Sequence, residues 1–153
     1  MGERLNTGEV CTRSVTIAFR RTPLNAAAKL MRENHVGCLV VVDEISGSRV
    51  VVGILTDRDI VTAVVAADAD ARRLLVEDVM STDLITARES DSLMDVMRSM
   101  RRKGVRRVPV VGAENELVGI VTMDDVLTIL SEELSLLVDA LGSEGKRELL
   151  MRK

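Results

Sequence analysis

The octapeptide GILTDRDI at Gly53–Ile60 decides the fold, because GIVTMDDV repeats its pattern at Gly119–Val126. Both copies read as a glycine, three β-forming residues that end in threonine, two variable residues, an aspartate and an aliphatic residue. The β-forming residues predict the end of a strand, and the Thr-x-x-Asp spacing is typical of a helix start. We therefore expect the same strand-to-helix corner twice in one chain.

The repeat extends upstream of the two octapeptides. Thr22–Val42 aligns with Asp91–Val111 at a constant offset of 69 residues. The offset falls to 66 at the octapeptides because the turn in the first copy is three residues longer. A period of this length is too long for a solenoid repeat and indicates a duplicated small domain.

Each copy predicts the element order β-α-β-β-α. The first helix of each copy carries apolar residues at i, i+3, i+4 and i+7, with Thr22 and Asp91 expected as N-caps. Two β-rich runs joined by a polar turn follow this helix, and a second helix closes the copy. The opening strands are expected at Ser14–Ala18 and Asp83–Ala87, and the closing helices at about 57–67 and 123–133.

These elements predict an α/β (α+β) fold of two β-α-β-β-α repeats packed with pseudo-twofold symmetry. A repeat of this size buries too little surface to be stable alone, so the two should pack face to face and leave a cleft on the axis. We expect the first repeat at 10–67, a linker at 68–78, the second repeat at 79–133 and a tail at 134–153, helical up to Gly142.

The tail carries an apolar stripe that has two interpretations. It could pack on its own module or on a second copy of the chain. The stripe consists of Leu130, Leu134, Leu137, Val138 and Leu141 at helical spacing.

Composition narrows the class of protein. Hydrophobic residues make up 46% and charged residues 29%, which is typical of a soluble globular protein, and no apolar run approaches the roughly 20 residues of a membrane span. The N-terminus has no apolar signal core. Cys11 and Cys38 are isolated, with only His35 as a further soft ligand, so we expect no metal site and reduced thiols in a cytoplasmic protein.

Nucleic acid is an unfavourable partner for this composition. The formal net charge is −3, and Phe19 is the only aromatic residue on which a base could stack. One segment, Arg98–Arg107, holds six basic residues in ten and leaves weak nucleic-acid binding as an alternative. The other interpretation is that these residues cover the solvent face and C-terminal end of a helix.

The Thr-x-x-Asp motif also has two interpretations. In a capping box, the threonine caps the helix and the acid accepts from the threonine backbone, which is a purely structural role. The same position suits a ligand, because a helix N-terminus attracts an anion and a fixed carboxylate accepts hydrogen bonds from a vicinal diol. A diol beside a phosphate describes a nucleotide.

Two Gly-φ-φ-Thr-x-x-Asp-φ motifs (φ aliphatic), each behind a β-α-β-β unit, resemble the tandem cystathionine-β-synthase (CBS) domain pair, or Bateman module. The resemblance extends to three further segments, VGCLVVVD, VRRVPVVG and VEDVMS at Val76–Ser81. It implies a stand-alone regulatory module without enzymatic activity that binds AMP, ADP, ATP or S-adenosylmethionine between its halves. No cofactor is required, magnesium could accompany a polyphosphate, and a homodimer and an unidentified regulated protein are the expected partners.

The resemblance also implies two pseudo-symmetric ligand sites. In the family the aspartate holds the ribose hydroxyls, the threonine lies near ribose or phosphate, and the first strand of the opposite half lines the base pocket. Because two arginines hold phosphate oxygens well, we expect the phosphorylated ligand at the site that has them. That site should comprise Thr16, Ala18, Val36, Gly37, Arg106, Arg107, Ile120, Thr122 and Asp125. The second site should comprise Ile54, Thr56, Arg58, Asp59 and Thr86.

A different class of function remains open on the residues alone. If both Thr-x-x-Asp turns only cap helices, the chain is a structural or interaction protein with no small-molecule ligand. No nucleophile–base pair and no carboxylate dyad is recognisable, so an enzyme is not expected.

Overall fold

A computed structural model describes residues 5–151, apart from the side chains of 144–146 and 148–150. The first repeat forms a three-stranded sheet in which β1 (Ile17–Phe19) is parallel to β2 (Cys38–Ile45) and β2 is antiparallel to β3 (Ser48–Thr56). The helix α2 (Leu24–Asn34) connects β1 to β2, and α3 (Asp57–Ile60) follows β3 and continues as a π-helical turn over Val61–Val65.

The second repeat has the same topology. Strands β4 (Ala87–Arg88), β5 (Arg107–Val111) and β6 (Leu117–Thr122) form its sheet in that order, again with one parallel and one antiparallel pair. The helix α5 (Leu93–Lys103) lies between β4 and β5, and α6 (Met123–Met151) follows β6. The predicted fold, two β-α-β-β-α repeats, is confirmed.

The first helices begin one residue later than expected. The caps are Pro23 and Ser92, not Thr22 and Asp91. The predicted caps instead close the turn before the helix: Thr22 Oγ1 accepts from the Phe19 N–H at 3.0 Å, and Asp91 Oδ2 accepts from the Arg88 N–H at 2.8 Å.

Three hydrophobic clusters hold the molecule together. One lies between sheet and helices in each repeat, and the third lies between the two sheets, where Val40, Val42, Val51 and Val111 are buried. Side chains alternate along a strand, so Leu39 and Val41 of β2 face their own helix while Val40 and Val42 face the other repeat. The strands therefore bury both faces, as their continuous apolar runs require.

Each repeat also receives the entry segment of the other. Thr12 pairs with Ile120 of β6, and Ser81 pairs with Ile54 of β3. The short helix α1 (Thr7–Val10) packs on the second repeat, where the Thr7 N–H donates to the Asp91 carbonyl at 2.8 Å. Because of this exchange, residues of both repeats lie next to each strand-to-helix corner.

The segment predicted as a linker is also packed against the first repeat. A 3₁₀ turn at Ala71–Arg73 leads to α4 (Val76–Val79), whose Val76 is fully buried in the core of the first repeat.

The tail differs from the expectation. The closing helix α6 does not end at Gly142 but runs without interruption to Met151. A glycine in an exposed helix costs only about 1 kcal/mol relative to alanine, and no proline follows Glu133 to end the helix. Within residues 5–151, no helix combines the length and apolar character needed to cross a membrane.

Candidate functional site

The two strand-to-helix corners have matching capping boxes. At the first, Asp59 Oδ2 accepts from the Thr56 N–H at 2.8 Å and from Thr56 Oγ1 at 2.7 Å. At the second, Asp125 Oδ2 accepts from the Thr122 N–H at 2.9 Å and from Thr122 Oγ1 at 2.7 Å. The structural role of the motif is therefore present in both copies.

The capping boxes leave each aspartate with an available oxygen. Both bonds at each corner go to Oδ2, and among the described residues neither Asp59 Oδ1 nor Asp125 Oδ1 accepts a hydrogen bond. An ionised carboxylate offers about four lone-pair sites. The same aspartate can therefore cap its helix and accept from a ligand hydroxyl, so capping and binding are compatible.

A cleft of about 570 Å³ opens at the first corner, between the repeats. Residues of the first repeat form one wall and residues of the second repeat form the other. Such a volume lies within the range of small-molecule sites. The cleft is lined by Ile54, Thr56, Asp57, Arg58, Asp59, Ser81, Asp83, Leu84, Ile85, Gly104, Val105, Arg106, Arg107 and Pro109.

Arg106 and Arg107 line this first cleft, which corrects the expectation that they serve the Thr122/Asp125 corner. Arg107 is the cross-strand partner of Thr122, and the Arg106 carbonyl accepts from the Met123 N–H at 2.8 Å, so their backbones do belong to the second corner. Both residues nevertheless line the cleft at the Thr56/Asp59 corner. The basic residues and the Asp59 carboxylate therefore share one cleft.

The charges of this cleft are suited to an anion next to a diol. Arg58, Arg106 and Arg107 take part in no ion pair within the described part of the chain. Of the acids, Asp83 is paired with Lys103 Nζ at 2.7 Å. Three arginines outside any described ion pair therefore line one cleft with Asp57 and Asp59, and guanidinium groups are typical phosphate ligands.

The pKa of Cys38 reflects its closeness to charged residues of both repeats at the first corner. Burial raises the pKa of the Cys38 thiol to about 11; nearby Arg107 lowers this pKa, whereas Asp59 and Asp57 raise it further. Cys38 therefore lies near the first-corner acids and an arginine of the second repeat. The thiol is neutral at physiological pH and adds no charge to the cleft.

The grouping of the other predicted residues around the Thr122/Asp125 corner stays a prediction. Ala18 is buried in the core of the first repeat and cannot reach a ligand. Gly37 lies beside the first corner, where its carbonyl accepts from the Asp57 N–H at 3.0 Å. Thr16 and Val36 are not among the residues that line the first cleft, which was not their predicted site, and Ile120 packs against the apolar cluster between the sheets.

Thr86 was expected to face Thr56 and Asp59, but it is exposed and lines a recess of about 70 Å³ on the second repeat. Its neighbour Ile85 lines the cleft. The reason lies in the register: Ala18 pairs with Val41 and Ala87 with Val110, so the offset of 69 holds through the first strands. Ile85 is thus the counterpart of Thr16, which sequence reasoning missed.

Leu84 and Pro109 also line the cleft, and neither was predicted from the sequence. The signal was present in the sequence, because an apolar wall must replace aromatic stacking in a chain with one phenylalanine. Within residues 5–151, no group of three or more His, Cys, Asp or Glu side chains is placed to hold a metal ion.

Comparison with known proteins gives a consistent result. The chain is 34% identical over 125 residues to an uncharacterized protein of Methanopyrus kandleri, covering 82% of this chain but only 62% of that protein. It is 36% identical to the CBS domain-containing protein YhcV of Bacillus subtilis, covering 75% and 77% of the two chains.

Solved structures agree with the sequence relatives. The CBS domain pair of protein MJ0100, in complex with 5'-methylthioadenosine and S-adenosyl-L-methionine, superposes with a TM-score of 0.74 at 26% identity, covering 84% of this chain and 97% of that one. The CBS domain model itself matches residues 8–66 and 76–132. The chain therefore belongs to the CBS domain family and carries two copies of the domain in tandem.

Proposed function

We propose that the chain is a regulatory module that binds an adenosine-type nucleotide in the Thr56/Asp59 cleft. One observation carries the proposal: the cleft combines a fixed diol acceptor, Asp59, with Arg58, Arg106 and Arg107. The adenosine-type ligands of the MJ0100 domain pair support the class of ligand.

The proposed ligand contacts follow from the position of each group. Asp59 Oδ1 accepts from the ribose hydroxyls, and the three arginines hold the phosphates, which favours AMP, ADP or ATP over S-adenosylmethionine. The base lies against the aliphatic wall of Ile54, Leu84 and Ile85, since no aromatic ring lines the cleft. Magnesium could accompany a polyphosphate, with Asp57, which lines the cleft and takes no part in the capping box, as its carboxylate ligand.

Regulation follows from the composition of the cleft. A ligand that contacts both repeats stabilises the arrangement that allows both contacts, and this coupling transmits occupancy to a partner protein or to a homodimer interface. The role requires no catalysis. Cys11 and Cys38 are both free thiols, in keeping with a reducing cytoplasm.

A nucleotide titration tests the proposal. The melting temperature of the full chain is measured with AMP, ADP, ATP and S-adenosylmethionine at millimolar levels. At 100 times Kd a ligand stabilises the fold by about 2.7 kcal/mol, or about 5–10 °C for a chain of this size. If none of the four ligands raises the melting temperature, the proposal is wrong.

Matched variants then locate the site. Asp59→Ala should weaken nucleotide binding at least tenfold, while Asp125→Ala, which removes the same capping box at the other corner, should change it less than twofold. A larger loss for Asp125→Ala would place the ligand at the Thr122/Asp125 corner instead, and equal losses would contradict the choice of the first corner as the single site.

A further inference from the structure

The tail of α6 leaves the body of the molecule. The helix is anchored at its start, where Val126 is buried and Met123 packs in the core of the second repeat. From residue 131 to residue 143, every side chain is exposed. The tail therefore does not pack on its own module, and one of the two interpretations of its apolar stripe is removed.

A seam of leucines runs along this exposed helix. Its members recur at alternating spacings of three and four residues, which is the a/d pattern of a coiled coil. They expose between 47% and 70% of their surface. The seam, as we name it, consists of Leu127, Leu130, Leu134, Leu137 and Leu141.

We propose that the seam pairs with the same seam of a second copy of this chain, so that two α6 helices form a short coiled coil. An a/d surface is complementary to itself, because each knob inserts between four residues of an identical facing helix. The contact is isologous and closes as a dimer. The seam carries no charged residue, so no like charges oppose one another within it.

Helix stability also favours a partner. The exposed segment from residue 131 to residue 143 would be only marginally stable as an isolated helix in water. Most helical stability in proteins comes from packing of an apolar face. Of the residues flanking the seam, Ser131, Val138 and Ala140 are small or apolar and permit close approach, and Glu133 is the charged one.

The buried area indicates a reversible dimer. Fully burying a leucine removes on the order of 100 Å² of apolar surface, so at the observed exposures the seam offers about 300 Å² per copy. A groove of about 340 Å³ between α5 and α6, lined by Leu5, Met94 and Met97, continues the seam at Leu130. Together these surfaces remain below a standard interface of about 800 Å² per partner, which predicts concentration-dependent association.

The test compares three variants of the full chain by sedimentation equilibrium from micromolar to millimolar concentration. Leu137→Lys/Leu141→Lys places charges in the seam. Leu136→Lys is the matched control, because Leu136 is equally exposed but lies on another face of the same helix. Val65→Lys probes pairing through the closing helix of the first repeat, where Val65 is also exposed.

We expect the wild type to dimerise and the seam variant to weaken dimerisation at least about 100-fold, with little effect of the two other variants. An unchanged melting temperature of the repeats would show that the seam variant still folds. A monomeric wild type, a seam variant that dimerises normally, or a dimer dissociated only by Val65→Lys would overturn the proposal.

Discussion

The two strand-to-helix corners share one backbone geometry and differ in charge. Their capping distances agree within 0.1 Å, and each first helical N–H donates to the carbonyl of the residue just before the middle strand of its sheet, Gly37 before β2 and Arg106 before β5. The repeated motif therefore determines the turn. It does not determine what the turn binds.

The difference in binding chemistry between the two corners comes from residues other than the motif threonine and aspartate. Where the first cleft has Arg58, Arg106 and Arg107, the pseudo-symmetric positions hold Asp124, Gly37 and Cys38. The exchange removes three positive charges and adds a negative one. We infer that duplication gave two equal corners, of which only the first is suited to a phosphorylated ligand, while the second suits a less anionic ligand or none.

The largest expected effect comes from the arginines. Arg106→Ala/Arg107→Ala should weaken AMP or ATP binding by about 100-fold, since a hydrogen bond to a charged group contributes about 1.5–3 kcal/mol. Adenosine, which has no phosphate, should bind wild type and variant within about threefold. The measurement is isothermal titration calorimetry with both ligands.

The control for this variant is Arg101→Ala/Arg102→Ala, which removes the same charge from the exposed face of α5. If the control weakens ATP binding as much as the cleft variant does, net charge and not the cleft determines affinity.

The glycines that precede the corners should differ in their tolerance of a side chain. A Cβ at Gly119 would lie 2.8 Å from the Thr12 carbonyl oxygen, which is backbone, whereas a Cβ at Gly53 would first meet Met80 Sδ at 2.8 Å, which can move. Gly119→Ala should therefore cost about 2 kcal/mol and Gly53→Ala about 1 kcal/mol in urea denaturation.

Gly142→Ala is the control for the glycine pair, because a Cβ there meets open space and alanine favours the helix. A larger loss for Gly53→Ala than for Gly119→Ala would show that the two entry segments do not differ in rigidity as the contacts indicate.

The fold was predictable from the sequence because each element occurs in two copies, and the pattern in one copy supports the assignment in the other. Gly53–Ile60 and Gly119–Val126 fixed two corners, and the offset of 69 fixed two sheets. The helix starts were missed by one residue because Thr22 and Asp91 can accept from the preceding turn as well as from a helix N-terminus. Local hydrogen-bonding chemistry does not distinguish these choices.

The composition of the site was less predictable. Alignment of the two repeats shows that Arg107 matches Cys38. It does not show which of the two clefts the long side chain of Arg107 lines. Only the packing of the two sheets against each other settles that Arg106 and Arg107 line the cleft of the opposite repeat. Thr86 was predicted to face the first corner, whereas the constant offset of 69 makes Ile85 the counterpart of Thr16.

The motif aspartates should contribute equally to stability, in contrast to their unequal effect on binding. Asp59→Ala and Asp125→Ala each remove two hydrogen bonds of a capping box, and we expect each to lower the free energy of unfolding by about 1 kcal/mol. Chemical denaturation without ligand measures both. A difference above about 1 kcal/mol would mean that the corners are not equivalent structurally.

The smallest effect concerns Cys38, which occupies the position of Arg107 in the other repeat. Burial raises the pKa of its thiol from 9.0 to about 11; nearby Arg107 opposes this increase, and Asp59 and Asp57 add smaller increases. The folded state therefore favours the neutral thiol. This stability is fully present below pH 9 and is lost as pH rises toward 11.

We expect the wild type to lose just under 1 kcal/mol of unfolding free energy between pH 8 and pH 9.5 relative to Cys38→Ala, in which the thiol is absent. The chain has no tyrosine, so few other groups titrate in this window. Parallel pH profiles for the two proteins would show that Cys38 ionises as freely in the folded state as in the unfolded one. The start of β2 would then be open to solvent at Cys38, in contrast to the burial of this residue in the structure.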